Sequence, residues 1–180
     1  MALKLITLDD IVAFKPLSIN MNVAKGLDPY IIEAQEFDIR EVLGDPLYLA
    51  MLGDAPLFAN PIYDKLFKGC DYVFEGLNYQ HSGIKASLIY FTYARYLVNA
   101  NQTPTAFGMV QKKNDYSDPI SDKQLAIKIQ QAKSGAMAYQ NKYVEYLNRF
   151  SDDYPLWKTD CKSNRIQKTS TKIKAISKFR

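Results

Sequence analysis

Histidine, cysteine and tryptophan are almost missing from this chain. The one histidine, His81, cannot build a multi-histidine metal centre, and no cysteine or acid cluster sits beside it in the sequence. Two cysteines, Cys70 and Cys161, stand far apart without CxxC spacing. That excludes a local zinc knuckle or redox motif, and two free thiols are the expectation in a reducing compartment. No run approaches the roughly 18 continuous apolar residues of a membrane span. The N-terminal Met1-Ala2-Leu3-Lys4-Leu5-Ile6-Thr7-Leu8-Asp9-Asp10 lacks a signal-peptide core. The expectation is a protein made and kept in a cytoplasm, with no membrane association. The eight glycines form no phosphate-cradling loop of either the P-loop or the dinucleotide-binding kind.

Catalytic constellations are equally sparse. A Cys–His or Ser–His pair can be drawn from Cys70 or Ser82 with His81. No sequence feature places either on a nucleophile elbow or beside an orienting acid, so a cysteine nucleophile at Cys70 is the weakest of the functional classes weighed. Glu33, Glu36 and Glu41 share one helix, and the first two fall near its N-terminus, where the helix dipole accounts for them. Asp64-Lys65 and Asp122-Lys123 read as surface charges. The sequence predicts no enzyme, no cofactor and no metal.

Tyrosine, by contrast, is abundant, with 13 residues. Its large apolar body and polar tip suit an ordinary core and also surfaces buried on assembly. Charge is segregated. Residues 1–157 carry 15 basic and 18 acidic side chains, 15 − 18 = −3, whereas residues 158–180 carry eight basic and one acidic, 8 − 1 = +7. The chain therefore divides into a helical body, 1–157, and a basic C-terminal arm, 158–180. The arm holds Arg165, Ile166, Lys168, Lys172, Ile173, Lys174, Ile176, Lys178, Phe179 and Arg180. Alone it buries too little to offset its ordering entropy. Three readings stand: a frayed end, an arm that docks on a partner subunit, or one that touches phosphates. The stretch Lys172 to Phe179 alternates imperfectly and permits strand addition to a partner's sheet.

Helix starts are legible at Asp28-Pro29, Asp45-Pro46 and Asn60-Pro61, each a capping side chain before proline. They predict helices from Pro29 to about Leu43, from Pro46 to Leu52 with a stop at Gly53, and from Pro61 to Lys68 with a stop at Gly69. Between Cys70 and Gly83 the aromatic residues around Glu75-Gly76-Leu77-Asn78 fit a small hairpin or an irregular loop. Ile84, Leu88, Phe91, Ala94 and Val98 mark a helix over 84–100. After a cap at Ser121, Leu125, Ile129, Ala132, Ala136, Tyr139, Tyr143, Tyr146 and Phe150 form a stripe along a helix about 45 Å long. Ala132, Gly135 and Ala136 keep its middle slim, and its role is the spine of a bundle. The intervening residues 101–119 form a long connection with a β-like run, Phe107-Gly108-Met109-Val110-Gln111, then Lys112, Lys113 and Tyr116. Such a loop is a contact device or folds back over its own core.

The fold class expected is mostly α. Two long antiparallel helices and shorter N-terminal helices form a bundle, with a small β-like insertion in the inter-helix loop and an extended C-terminal arm. The stretch Thr103-Pro104-Thr105-Ala106-Phe107-Gly108-Met109-Val110-Gln111-Lys112-Lys113-Asn114-Asp115-Tyr116-Ser117 is similar to the inter-helix segment of head–tail connector (adaptor) proteins of tailed bacteriophages, those of crAss-like phages of gut Bacteroidetes among them. Leu43-Gly44-Asp45-Pro46-Leu47-Tyr48 resembles the early helix–turn–helix segment of the same group, and the resemblance covers about residues 27–150. It implies a structural virion protein of the neck, assembled in the host cytoplasm. Such a subunit forms a homo-oligomeric ring, a dodecamer matching the portal protein, and offers a platform to a downstream neck or tail protein. DNA passes through its lumen without sequence-specific binding. Phe107, Met109, Val110, Lys112, Lys113 and Tyr116 would then belong to an inter-subunit or lumen loop, and residues 158–180 to a partner-docking arm. The competing class is a nucleic-acid-binding accessory protein that uses the basic arm.

Overall fold

The computed structural model describes residues 3–15, 26–99, 102–105, 108–111 and 121–157, and it is mostly helical. Helix α1 (Leu8–Phe14) opens with a capping box: the Thr7 hydroxyl accepts from the Asp10 amide while the Asp10 carboxylate accepts from the Thr7 amide at 2.8 Å. Its seven residues are too few to show a helical period in the sequence. Asp10 also pairs with Lys85 at 2.6 Å, which pins α1 to the later helix Gly83–Asn99.

Helix α2 (Asp28–Ala34) passes through a π-helical turn (Gln35–Ile39) into α3 (Arg40–Leu43). The buried positions explain the wide turn. Ile31, Gln35, Ile39 and Leu43 are each four apart. In an α-helix each such step overshoots one full turn by about 40°, so three steps would carry Leu43 away from the core. The wider π turn absorbs that drift. Asp28 and Asp45 do not cap, contrary to expectation. Leu27 and Gly44 hold the N-cap positions without a side-chain bond. Asp28 instead pairs with Lys4 and Asp45 with Arg40, at 2.6 and 2.7 Å. Glu36 and Glu33, attributed above to the helix dipole, also have cationic partners: Arg40 at 2.6 Å and Arg95 at 3.7 Å.

Helix α4 (Asp45–Asp54) runs through Gly53 and not up to it; Gly53 is not in the positive-φ conformation of a glycine stop, and the helix closes at Ala55, whose amide donates to the Leu52 carbonyl at 3.3 Å. Helix α5 (Pro61–Lys68) has its expected bounds, with the Asn60 side chain accepting from the Ile62 amide at 3.0 Å. Strands β1 (Cys70–Phe74) and β2 (Leu77–His81) then pair antiparallel around Glu75-Gly76, both at positive φ, 50° and 77°. That is the backbone a two-residue hairpin turn requires.

Helix α6 (Gly83–Asn99) lies along α7 (Asp122–Arg149). Three contacts tie this region of the chain together. His81 stacks on Tyr146, the Ser87 hydroxyl donates to the Ala136 carbonyl at 3.0 Å, and Tyr90 covers Gly135. The slim middle of α7 is thus filled by a tyrosine ring. Ile84, Leu88, Phe91 and Ala94 are buried as expected, whereas Val98 is 46% exposed, beyond the end of the packed core. The connection between these helices contains a second antiparallel hairpin, β3 (Gln102–Thr105) and β4 (Gly108–Gln111). After α7 the chain folds back: the Tyr154 hydroxyl donates to the Ile62 carbonyl at 2.9 Å and Trp157 is buried.

Candidate interaction surface

Alternation in β1 and β2 sorts the first hairpin into two faces. Cys70, Tyr72 and Phe74 with Tyr79 and His81 turn toward α7, while Asp71, Val73, Asn78 and Gln80 turn outward and are exposed. Arg149 of α7 holds the inner face. Its guanidinium lies 3.7 Å from the Tyr79 ring centroid and 5.1 Å from Phe74, and it donates to the Tyr72 hydroxyl at 2.9 Å. Its side chain is 15% exposed, and the cation over these rings is attracted by their negative faces.

Of the two pairs drawn from the sequence, the register brings one together: Cys70 stands opposite His81, with Sγ 3.4 Å from Nε2. The signal was available only once the two-residue turn at Glu75-Gly76 fixed the register. His81 Nδ1 accepts from the Gly83 amide at 3.2 Å, so the hydrogen of the neutral imidazole resides on Nε2 and points at the sulfur. In that tautomer Nε2 has no lone pair to take the thiol proton. Burial pushes the Cys70 thiol up and the imidazole down to about 4. The pair is neutral and pins the base of the hairpin.

That depressed value has a stability consequence. The folded state binds a proton at His81 more weakly than the unfolded chain, whose histidine titrates near 6.5. Its contribution is complete above that value and is lost as pH falls toward 4. The expected loss at pH 4.5 is about 2.5 kcal/mol relative to pH 7. Urea midpoints at the two pH values measure it, and His81→Gln removes this share of the drop while the carboxylate share remains. An equal drop in both proteins would contradict the assignment.

The second feature is the first third of α7. From Asp122 to Gln131 no residue is buried, a length of about 15 Å, although the apolar stripe continues there through Leu125 and Ile129. Ile127 is 49% exposed, and further along the outer side Met137 is 54% exposed. The stripe therefore outruns the core that covers its other end. Lys123, Lys128 and Lys133 flank it, all exposed. The β3–β4 hairpin belongs to the connection that leads into this stretch of α7.

Of the residues assigned to the inter-helix loop, Met109 and Val110 lie in β4, paired with Pro104 and Thr103. Phe107, Lys112, Lys113 and Tyr116 lie outside the described residues, as do Cys161 and the whole arm, from Arg165 and Ile166 to Phe179 and Arg180. Cys70 is a free thiol. Among the described residues no group of three or more metal-ligating side chains converges. No helix there is long and apolar enough to cross a membrane.

A family model described as a family of unknown function, DUF6712, matches residues 39–167. No curated protein and no solved structure matches the chain.

Proposed function

The chain belongs to the DUF6712 family, whose function is unknown, and we propose that it is a non-enzymatic ring subunit of a tailed-phage neck. In this reading the antiparallel pair α6–α7 is the spine of a helical bundle, residues 1–157 form the body, and residues 158–180 form the docking arm. The observation that carries it is the first third of α7, where no residue is buried and Ile127 is exposed beside the half-buried Leu125 and Ile129. A ring subunit has two different contact faces, closed by rotation, and each face is exposed in the single chain. Large exposed apolar strips on soluble proteins are ordinarily contact sites. The β3–β4 hairpin, with Met109 and Val110, supplies a second contact element at the inter-subunit or lumen position. The resemblance of residues 27–150 to head–tail connectors points the same way. It supplies the partners: copies of the chain in a dodecamer, the portal protein above, a downstream neck or tail protein below, and DNA in the lumen.

Co-elution with the portal protein of the same virus tests this reading. The full chain is expected to form a stoichiometric complex. Removal of residues 158–180 should abolish the complex while leaving cooperative unfolding of the body unchanged. Loss of cooperative unfolding would show that the arm belongs to the core. A chain that ignores the portal but binds DNA with steep salt dependence would instead establish the nucleic-acid-binding alternative.

A further inference from the structure

The β1–β2 hairpin has an open edge. The backbone of β2 lies against α7, and β1 is the outer strand. In a hairpin closed by a two-residue turn, Phe74 and Leu77 form the first hydrogen-bonded pair. Hydrogen-bonded and non-bonded pairs then alternate, so Asp71 and Val73 direct their N–H and C=O groups to the free side. Among the described residues, no backbone group outside the hairpin bonds to them. The usual protections are missing too. The strand has no lysine, no proline and an unbroken register. Its one charge is Asp71, and Val73 is 61% exposed. An open depression of about 520 Å³ lies at the hairpin, lined by Asp71, Val73, Asn78 and Gln80 of the outer face together with Tyr72 and Tyr79.

The chain carries a segment that matches this edge. We infer that residues 172–179 of the C-terminal arm add to β1 as a third strand in the free protein. The hairpin holds two acids, Asp71 and Glu75, and no lysine or arginine, whereas the segment holds Lys172, Lys174 and Lys178 and no acid. Strand alternation would set Lys172, Lys174 and Ile176 on the face of Asp71 and Val73. Ile173, Ala175 and Phe179 would fall on the face of Tyr72 and Phe74. Reach is sufficient. Trp157 hydrogen-bonds Asn148, the neighbour of Arg149 in sequence, so the arm leaves the body beside the hairpin's support. The residues between 157 and 172 span up to about 46 Å when extended. The main-chain bonds supply affinity, and the charge pairing selects this segment. The inference goes beyond the ring reading: on assembly the arm would pass from this edge to the portal, but the edge is tested without any portal.

Hydrogen exchange at residues 70–74 is the test, on the full chain and on Ala175→Pro/Ile176→Pro; one of two consecutive strand residues directs its N–H to β1 in either orientation, so this pair removes an arm donor and leaves the body's sequence intact. Exchange of the Asp71 and Val73 amides is expected to be at least about ten-fold faster in the double-proline chain. A synthetic peptide of residues 172–180 should restore protection to that variant. Asp71→Lys should release the edge in the full chain, and Asp71→Lys with Lys174→Glu should close it again. Equal exchange in the parent and double-proline chains overturns the inference, as does a peptide that leaves exchange unchanged. A dilution series assigns the strand to the same chain or to a neighbour, since only the latter is lost on dilution.

Discussion

Gly83→Ala is expected to cost on the order of 4 kcal/mol, the largest single-residue effect in the body. Gly83 starts α6 at φ 71°, where a side chain is strained in any surroundings. Here the surroundings are backbone. A Cβ at this position would collide with the Phe67 carbonyl oxygen, stand 2.5 Å from the Gly69 nitrogen and 2.7 Å from the Lys68 carbonyl carbon. None of these atoms can yield without moving the end of α5. Gly69, at φ 94°, faces the His81 carbonyl in return, so the two glycines let the close of α5 and the start of α6 cross in contact. Gly76 gives the contrast. It has φ 77° but open space, and its alanine variant should cost only about 1 kcal/mol. Urea midpoints for the two variants separate conformational strain from collision, and equal effects would remove the crossing from the account.

Gln35→Leu is the second large effect, about 3 kcal/mol. Gln35 is 1% exposed and sits in the π-helical turn. Its Oε1 accepts from the Leu5 amide at 2.7 Å and its Nε2 donates to the Leu3 carbonyl at 3.1 Å. One side chain thus stands in for a paired strand and holds the N-terminal segment, whose Leu5 and Ile6 are buried. Leucine keeps the volume and removes both partners. Each orphaned main-chain group costs about 1–3 kcal/mol. A melting point lowered by roughly 6–12 °C, with faster proteolysis near Leu5, is the expected outcome. A melting point within a degree or two of the parent would mean that the segment contributes little.

These two positions also mark where sequence reasoning succeeds and fails. The helix end at Leu43, the stop at Gly69 and the cap at Asn60 are local, so spacing alone revealed them. The stripe from Leu125 to Phe150 was equally plain, because its 3.6-residue period is independent of what covers it. What covers it was not legible: Val98 ends outside the core although its periodicity matches that of Leu88 and Phe91. Asp28 and Asp45 looked like caps because the Asp-Pro pattern is the same whether the carboxylate turns to an amide or to Lys4 and Arg40. Gln35 falls at a periodic position between Ile32 and Ile39, but the sequence carries no signal for the bonds it makes. A polar residue on a helix reads as surface until a segment 30 positions away supplies the groups it must bond. Cys70 and His81 met through strand register, which depends on the conformation of two turn residues. The hydrophobic pattern was blind to it.

In the proposed ring the first third of α7, in which no residue is buried, is a surface between copies of this chain. Light scattering at moderate salt tests it, on the chain alone and mixed with portal, for the parent and for Leu125→Asp/Ile129→Asp. The account predicts a discrete ring, or a stoichiometric ring on the portal, for the parent. The double variant should remain a folded monomer in both conditions. A parent chain that stays monomeric even with portal, or a variant whose mass is unchanged, would contradict it.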